Sequence, residues 1–143
     1  EGGLNLKGLN ALDLDLFRTN IGRLREAGIK TSLFIDPDKE SVKLSKELGA
    51  ELIELHTGDY ANKFNSIDEF DALGDLSIAS SYANELNLLV NAGHGLNAEN
   101  LAQICEIPYI QELNIGHSII SQAVFTGLND AIEKIISIIN NCD

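Results

Sequence analysis

The stretch that decides the fold is GIKTSLFIDPDKESVKLSKELGAELIELH, residues 28–56. It opens on Gly28, a residue suited to the left-handed position that ends a helix. Lys30 to Ile35 follows as a short β-rich run, closed by Asp36, Pro37 and Asp38. An Asp at this point caps the next helix, with Pro37 suited to its first turn. That helix carries Val42, Leu44 and Leu48, pairs Lys43 with Glu47 four residues on, and ends at Gly49. A second strand, Glu51 to His56, begins at once. Strand, helix and strand with no hairpin signal between them make a parallel βαβ unit joined by a right-handed crossover.

The same alternation extends in both directions. Upstream, Leu14, Phe17, Ile21 and Leu24 recur at helical spacing before Gly28. Downstream the reading is a long polar loop from Thr57 to about Ser66, then a helix through Leu76, Ala79, Ala83 and Leu86. A strand at Leu88 to Asn91, a short helix around Ala98 to Cys105 and a strand at Glu112 to Ile115 come next. Two helices close the chain, His117 to about Phe125 and one from Leu128 onward, separated by Thr126-Gly127. In the last, Ile132, Ile135, Ile136 and Ile139 form a single apolar stripe. The class is α/β with about four parallel strands. Pattern alone leaves two architectures open, a four-stranded doubly wound sheet or half of an eight-stranded barrel. A barrel half would expose two strand edges, and such a chain is expected to be marginal or associating by itself.

Composition bounds the function. With 143 residues, 44% hydrophobic and 22% charged, the chain fits one globular unit with a real core. A net charge of −12 with scattered Lys and Arg argues against nucleic acid, so any phosphate must be gripped locally. Its longest apolar runs, such as Leu88 to Val90 and Ile135 to Ile139, fall far below the ~20 residues of a membrane span. Cys105 and Cys142 have neither metal-pair nor CxxC spacing, and no signal-peptide pattern opens the chain. The expectation is a cytoplasmic protein without disulfides. The chain begins at Glu1 with a turn-like Glu1-Gly2-Gly3 and contains no Met. It reads as a truncated chain.

The sequence has only three histidines, and each stands at or just past the C-terminal end of a strand: His56, His94 and His117. In parallel α/β folds the loops at that end build the site. Alternation along Glu51 to His56 sets Glu54 and His56 on one face, with Ile53 and Leu55 toward the helices. Glu54 then points inward near the rim, as a proton relay, a stabiliser of developing charge, or one half of an interior ion pair. His94, between Gly93 and Gly95, has an uncrowded ring suited to proton donation, or to capping the next helix. Ile115-Gly116-His117-Ser118 runs from strand into helix, where unpaired amides make an anion site by geometry and dipole. His56 and Thr57 either touch a ligand or orient Glu54, and are not counted as catalytic.

Six blocks in order resemble the pyridoxine 5′-phosphate synthase family across essentially the whole chain: Glu1-Gly2-Gly3-Leu4, Ser32-Leu33-Phe34-Ile35-Asp36, Glu54-Leu55-His56-Thr57-Gly58, Asn91-Ala92-Gly93-His94-Gly95-Leu96, Glu112-Leu113-Asn114-Ile115-Gly116-His117 and Phe125-Thr126-Gly127-Leu128. The resemblance implies that residues 1–143 are the C-terminal half of a (β/α)8 TIM barrel, with an extra helix after the last strand. It implies condensation of 1-deoxy-D-xylulose 5-phosphate with 3-amino-2-oxopropyl phosphate, no metal and no cofactor, and a homo-oligomeric parent. By matching positions His94 is expected as proton donor, Glu54 as transition-state stabiliser, and Gly95, Gly116 and His117 as substrate-phosphate contacts. The family's first half carries further bases and substrate-holding Arg and His residues, so the 143-residue chain alone is expected to show no turnover. The rival readings are another phosphate-binding barrel enzyme and a self-contained, non-enzymatic α/β binding domain.

Overall fold

The structure is a computed structural model that describes residues 2–142. Glu1, the first residue of the expected opening turn, lies outside them. A 3-10 turn at Leu6–Gly8 leads into helix α1 (Ala11–Glu26), strand β1 (Ser32–Ile35), α2 (Lys39–Leu48) and β2 (Leu52–His56). Then come α3 (Gly58–Lys63), α4 (Glu69–Glu85), β3 (Leu89–Gly93), α5 (Leu101–Cys105), β4 (Ile110–Asn114), α6 (His117–Thr126) and α7 (Leu128–Asn140).

The four strands form one parallel sheet in the order β1-β2-β3-β4. That order decides between the two architectures. A doubly wound sheet reverses direction at a switch point, whereas strands laid down strictly in sequence, with right-handed crossovers, put every helix on one face. The chain is therefore built as the wall of a (β/α)8 barrel, with four of its βα units. Ile35, Ile53, Leu55, Val90 and Ala92, at most 1% exposed, form the helix-facing core with Val42, Leu76, Ala79, Leu101 and Ile104. The opposite face carries Phe34, Glu54, Asn91 and Glu112, where Glu54 pairs in register with Phe34 and Asn91, and Asn91 with Glu112.

Local chemistry explains the element ends. Asn10 caps α1 by accepting from the amides of Leu12 and Asp13. Gly49 takes φ 94° at the end of α2, the left-handed conformation that glycine adopts without strain. The outer edge of β1 is partly engaged, because the Leu4 amide donates to the Phe34 carbonyl at 2.7 Å.

Several expectations are corrected. The polar loop after Thr57 contains α3, held by the Lys63–Asp59 ion pair at 2.7 Å and by buried Tyr60, whose hydroxyl donates to the Asn100 carbonyl at 2.7 Å. One aromatic anchor on a six-residue polar helix leaves no periodic apolar trace. The cap of α2 is Asp38, which accepts from the amides of Glu40 and Ser41, while Asp36 accepts from the Gly3 amide at 2.8 Å. Pro37 consequently precedes the cap instead of entering the first turn. Strand β3 runs on to Gly93 and β4 begins at Ile110, because a register shift between Val90 and Asn91 lets Gln111 slip out of pairing. In α7 the isoleucines lie on one stripe of the helix, but only one edge of it is covered: Ala131 and Ile135 are buried, whereas Ile132, Ile136 and Ile139 are partly exposed.

Candidate functional site

The C-terminal ends of the strands meet on a cavity of about 640 Å³, within the range of small-molecule sites. Glu54 comes from β2, His94 and Gly95 from the turn after β3, and Gly116 and His117 from the junction of β4 and α6. All five residues singled out in the sequence border it. Phe34, Asn97, Asn114 and Ser118 complete the parts of the wall that bear on its chemistry.

Each residue is held from behind. The Thr57 hydroxyl donates to the His94 carbonyl at 2.6 Å and its amide to the Gly93 carbonyl at 2.9 Å, locking the end of β2 to the turn that carries His94. His94 itself adopts φ 92°, an uncommon conformation for a side chain of its size. Gly95 follows at φ 73°, and a Cβ there would stand 2.7 Å from the Ala61 Cβ. Helix α6 starts after Gly116 without a capping side chain, which leaves its first amides without a side-chain partner, and Gly116, His117 and Ser118 all line the cavity. The Ser118 hydroxyl is spent elsewhere, donating to the Leu96 carbonyl at 2.6 Å and tying α6 to the β3–α5 loop.

The carboxylate of Glu54 lies over Gly93, where an added Cβ would approach its Oε1 to 2.6 Å. Burial pushes the Glu54 pKa above the ordinary glutamate value, against a hydrogen bond from Asn114 and the charge of His94, which both favour ionisation. His56 is buried behind the rim, and its pKa is held below the ordinary histidine value, first by burial and then by His94, with Asp36 and Asp59 opposing. Its ring packs edge-on against Phe34, centroids 5.2 Å apart, and lies 4.9 Å from the His94 ring. Among the described residues no Lys or Arg lines the cavity, so an anion there would meet helix-start amides and imidazoles. Among the described residues, no three His, Cys, Asp or Glu side chains are grouped as metal donors, and no helix is long and apolar enough to cross a membrane. Cys105 and Cys142 are not joined in a disulfide.

Asn114, Gly58 and Gly93 were not picked out as site residues from sequence. Asn114 carried a trace, since it shares a strand face with Glu112, but its contact with Glu54 depends on the β3–β4 register. The two glycines matter for the space they leave beside Glu54 and His56, which no local pattern encodes.

The sequence profile of the family described as pyridoxal phosphate biosynthesis protein PdxJ matches residues 1–141. The chain is similar to the pyridoxine 5′-phosphate synthase of Sulfurihydrogenibium sp. (strain YO3AOP1), with 45% identity over 141 residues, 99% of this chain and 56% of that protein. The synthase of Aliivibrio fischeri (strain ATCC 700601 / ES114) is 47% identical over 132 residues, 92% of this chain and 53% of the relative. That of Idiomarina loihiensis (strain ATCC BAA-735 / DSM 15497 / L2-TR) is 44% identical over 140 residues, 98% of the chain and 56% of the relative. The chain thus spans little more than half the length of these relatives. A match across nearly its whole length, joined to a parallel sheet wound in one direction, places the chain in the PdxJ family of pyridoxal phosphate biosynthesis proteins.

Proposed function

We propose that the chain supplies the second half of the (β/α)8 domain of a pyridoxine 5′-phosphate synthase, which condenses 1-deoxy-D-xylulose 5-phosphate with 3-amino-2-oxopropyl phosphate. In this reading His94 is the proton donor, Glu54 stabilises the transition state, and Gly95, Gly116 and His117 hold a substrate phosphate. The observation that carries it is the convergence of a half-buried carboxylate, an exposed imidazole and an uncapped helix start on one cavity. A phosphate at the α6 start accepts N–H bonds and is favoured by the helix dipole. That fixes the sugar or amino-ketone next to His94. Amine and ketone form a Schiff base, and the later loss of phosphate, addition of water and ring closure each move a proton. His94 delivers one to a leaving oxygen, while the Glu54 carboxylate sits where positive charge develops on the imine. The remaining proton transfers require groups from outside this chain, so residues 1–143 alone show no turnover.

The test joins this chain to the other half of the Sulfurihydrogenibium relative, in place of its matching segment, and measures pyridoxine 5′-phosphate formation. Activity is expected, with His94→Asn lowering it by about 10²–10⁴-fold. An active chimera that is indifferent to His94→Asn would overturn the assignment of the acid. Turnover by the isolated 143-residue chain would overturn the division of labour.

A further inference from the structure

One buried polar atom of the rim has no part in the chemistry proposed for His94 and Glu54. His56 is 6% exposed, and its Nε2 has no hydrogen-bond partner among the described residues. An orphaned buried acceptor or donor costs on the order of 1–3 kcal/mol unless another state of the molecule satisfies it. The surroundings limit what that partner can be. Asp36 faces the other ring nitrogen, its Oδ1 3.8 Å from His56 Nδ1, and is itself fixed by the Gly3 amide. Phe34 covers one side of the ring. At the Nε2 edge stands Gly58, where an added Cβ would lie 2.6 Å from Nε2 and 3.1 Å from the Cδ2 of His94. Both imidazole edges therefore look onto the same small space above Gly58, and this space exists because residue 58 has no side chain.

The ring centroids are 4.9 Å apart. Two imidazoles joined by an N–H···N bond have centroids about 5 Å apart, an N···N distance of about 2.9 Å plus the reach of each ring. The spacing matches that of a bonded pair, and the His94 atom nearest the space above Gly58 is the carbon Cδ2. A half-turn about the Cβ–Cγ bond of His94 exchanges Cδ2 for Nδ1 at that place without moving the backbone, which Thr57 holds at the His94 carbonyl.

We propose that His56 is a positioning residue for His94: its buried Nε2 accepts the Nδ1–H of the turned His94 ring and so commits the other nitrogen, Nε2, to the cavity. Asp36 selects the His56 tautomer with hydrogen on Nδ1, leaving Nε2 as the acceptor. After His94 gives its cavity-facing proton away, the retained Nδ1–H keeps the ring aligned for the next transfer. This inference rests on the reading of His94 as the acid for its functional meaning, but the contact itself is a property of the free chain.

The experiment records the ring nitrogens of His94 by NMR in the 143-residue chain without substrate, at about pH 8.5, two units above the ordinary histidine value. In the wild type the ratio of Nδ1–H to Nε2–H tautomer of His94 is expected to exceed that of a free imidazole side chain, which favours Nε2–H, by about five-fold, the factor an ordinary net hydrogen bond supplies. His56→Phe keeps the ring packing and should abolish the excess. His56→Gln returns an acceptor and should restore part of it. A wild-type ratio equal to that of a free imidazole side chain, or an excess that persists in folded His56→Phe, overturns the proposal. If His56→Phe does not fold, the wild-type ratio and the His56→Gln ratio decide by themselves. Because no turnover is measured, a failure here is distinct from a failure of the synthase reading, which the His94→Asn chimera tests.

Discussion

Replacing Gly93 with Ala sets two physical effects of opposite sign against each other. Gly93 is not in the left-handed region, so an alanine is compatible with its backbone. If space were available, the substitution would stabilise the fold by about 0.4–1 kcal/mol through the unfolded chain. Space is what the structure denies. The new Cβ would stand 2.6 Å from Glu54 Oε1, 2.8 Å from the Asn114 carbonyl oxygen and 2.9 Å from Asn114 Cβ. Glu54 can swing away, but the Asn114 carbonyl belongs to the backbone of β4, paired in register with Gly93. Relief therefore requires β3 and β4 to part by roughly 0.7 Å to reach ordinary contact of about 3.5 Å. Overpacking of this kind costs about 1–3 kcal/mol, more than the entropic gain. We expect Gly93→Ala to lower the urea midpoint of the chain, with unfolding followed by circular dichroism, and to move the melting temperature down by roughly 4–8 °C for about 2 kcal/mol. The Glu54 and Asn114 side-chain resonances should shift with it. A variant as stable as the wild type, or more stable, would refute the claim that Gly93 exists to seat the Glu54 carboxylate.

Three further outcomes are expected. Glu54 has a folded pKa raised by burial, so its contribution to stability is present below the unfolded value of about 4.3 and is lost as pH rises through the folded value. Glu54→Gln should accordingly be more stable than the wild type in urea at pH 7, with the difference shrinking toward pH 4. A less stable Glu54→Gln at pH 7 would mean that Asn114 and His94 outweigh burial. Asp38→Ala removes the cap of α2 and its 2.9 Å ion pair with Lys7, and should cost about 1 kcal/mol, mostly from the cap, since the ion pair is partly exposed. An unchanged urea midpoint would contradict this. Val124 (79% exposed) and Phe125 (86%) present large apolar surface at the end of α6. Light scattering should show the chain associating in a concentration-dependent way, and Val124→Asp with Phe125→Asp should reduce the mass; a monomeric wild type at high concentration would show that this surface is inert.

The parts legible in the sequence are those written in local chemistry. The βαβ unit at residues 28–56 could be read because Gly28 and Gly49 sit at left-handed positions and because Ile53 and Leu55 alternate with Glu54 and His56. That the five candidate residues border one cavity could be read because parallel strands all point their C-terminal ends the same way, so the residue after each strand shares a rim. What escaped was set by contacts distant along the chain. Helix α3 is anchored by Tyr60 on the carbonyl of Asn100, and that carbonyl comes from a different βα unit. Asp38 and Asp36 are two residues apart with equal capping chemistry, and the choice between them follows from where Gly3 docks. The strand order, which separates a barrel wall from a doubly wound sheet, is nowhere encoded in periodicity. It becomes visible only through pairing.

The cavity also carries a sign conflict that one substitution exposes. Among the described residues its only acidic wall residue is Glu54, lining the same cavity as the α6 start that would receive a phosphate. Like charges sharing a cavity oppose each other by on the order of 0.5–2 kcal/mol at separations of roughly 8 Å, the lower figure for a site open to water. Glu54→Gln should thus tighten binding of 1-deoxy-D-xylulose 5-phosphate to the chain by a few-fold, measured by calorimetry. In the chimera the same change should lower turnover, because the amide cannot offset the positive charge that develops on the imine. Tighter binding with slower reaction is the mark of a group kept for the transition state at the expense of the ground state. Weaker binding together with slower reaction would instead make Glu54 an ordinary substrate contact, and the assigned chemistry of the rim would have to be redrawn around His94 and His117.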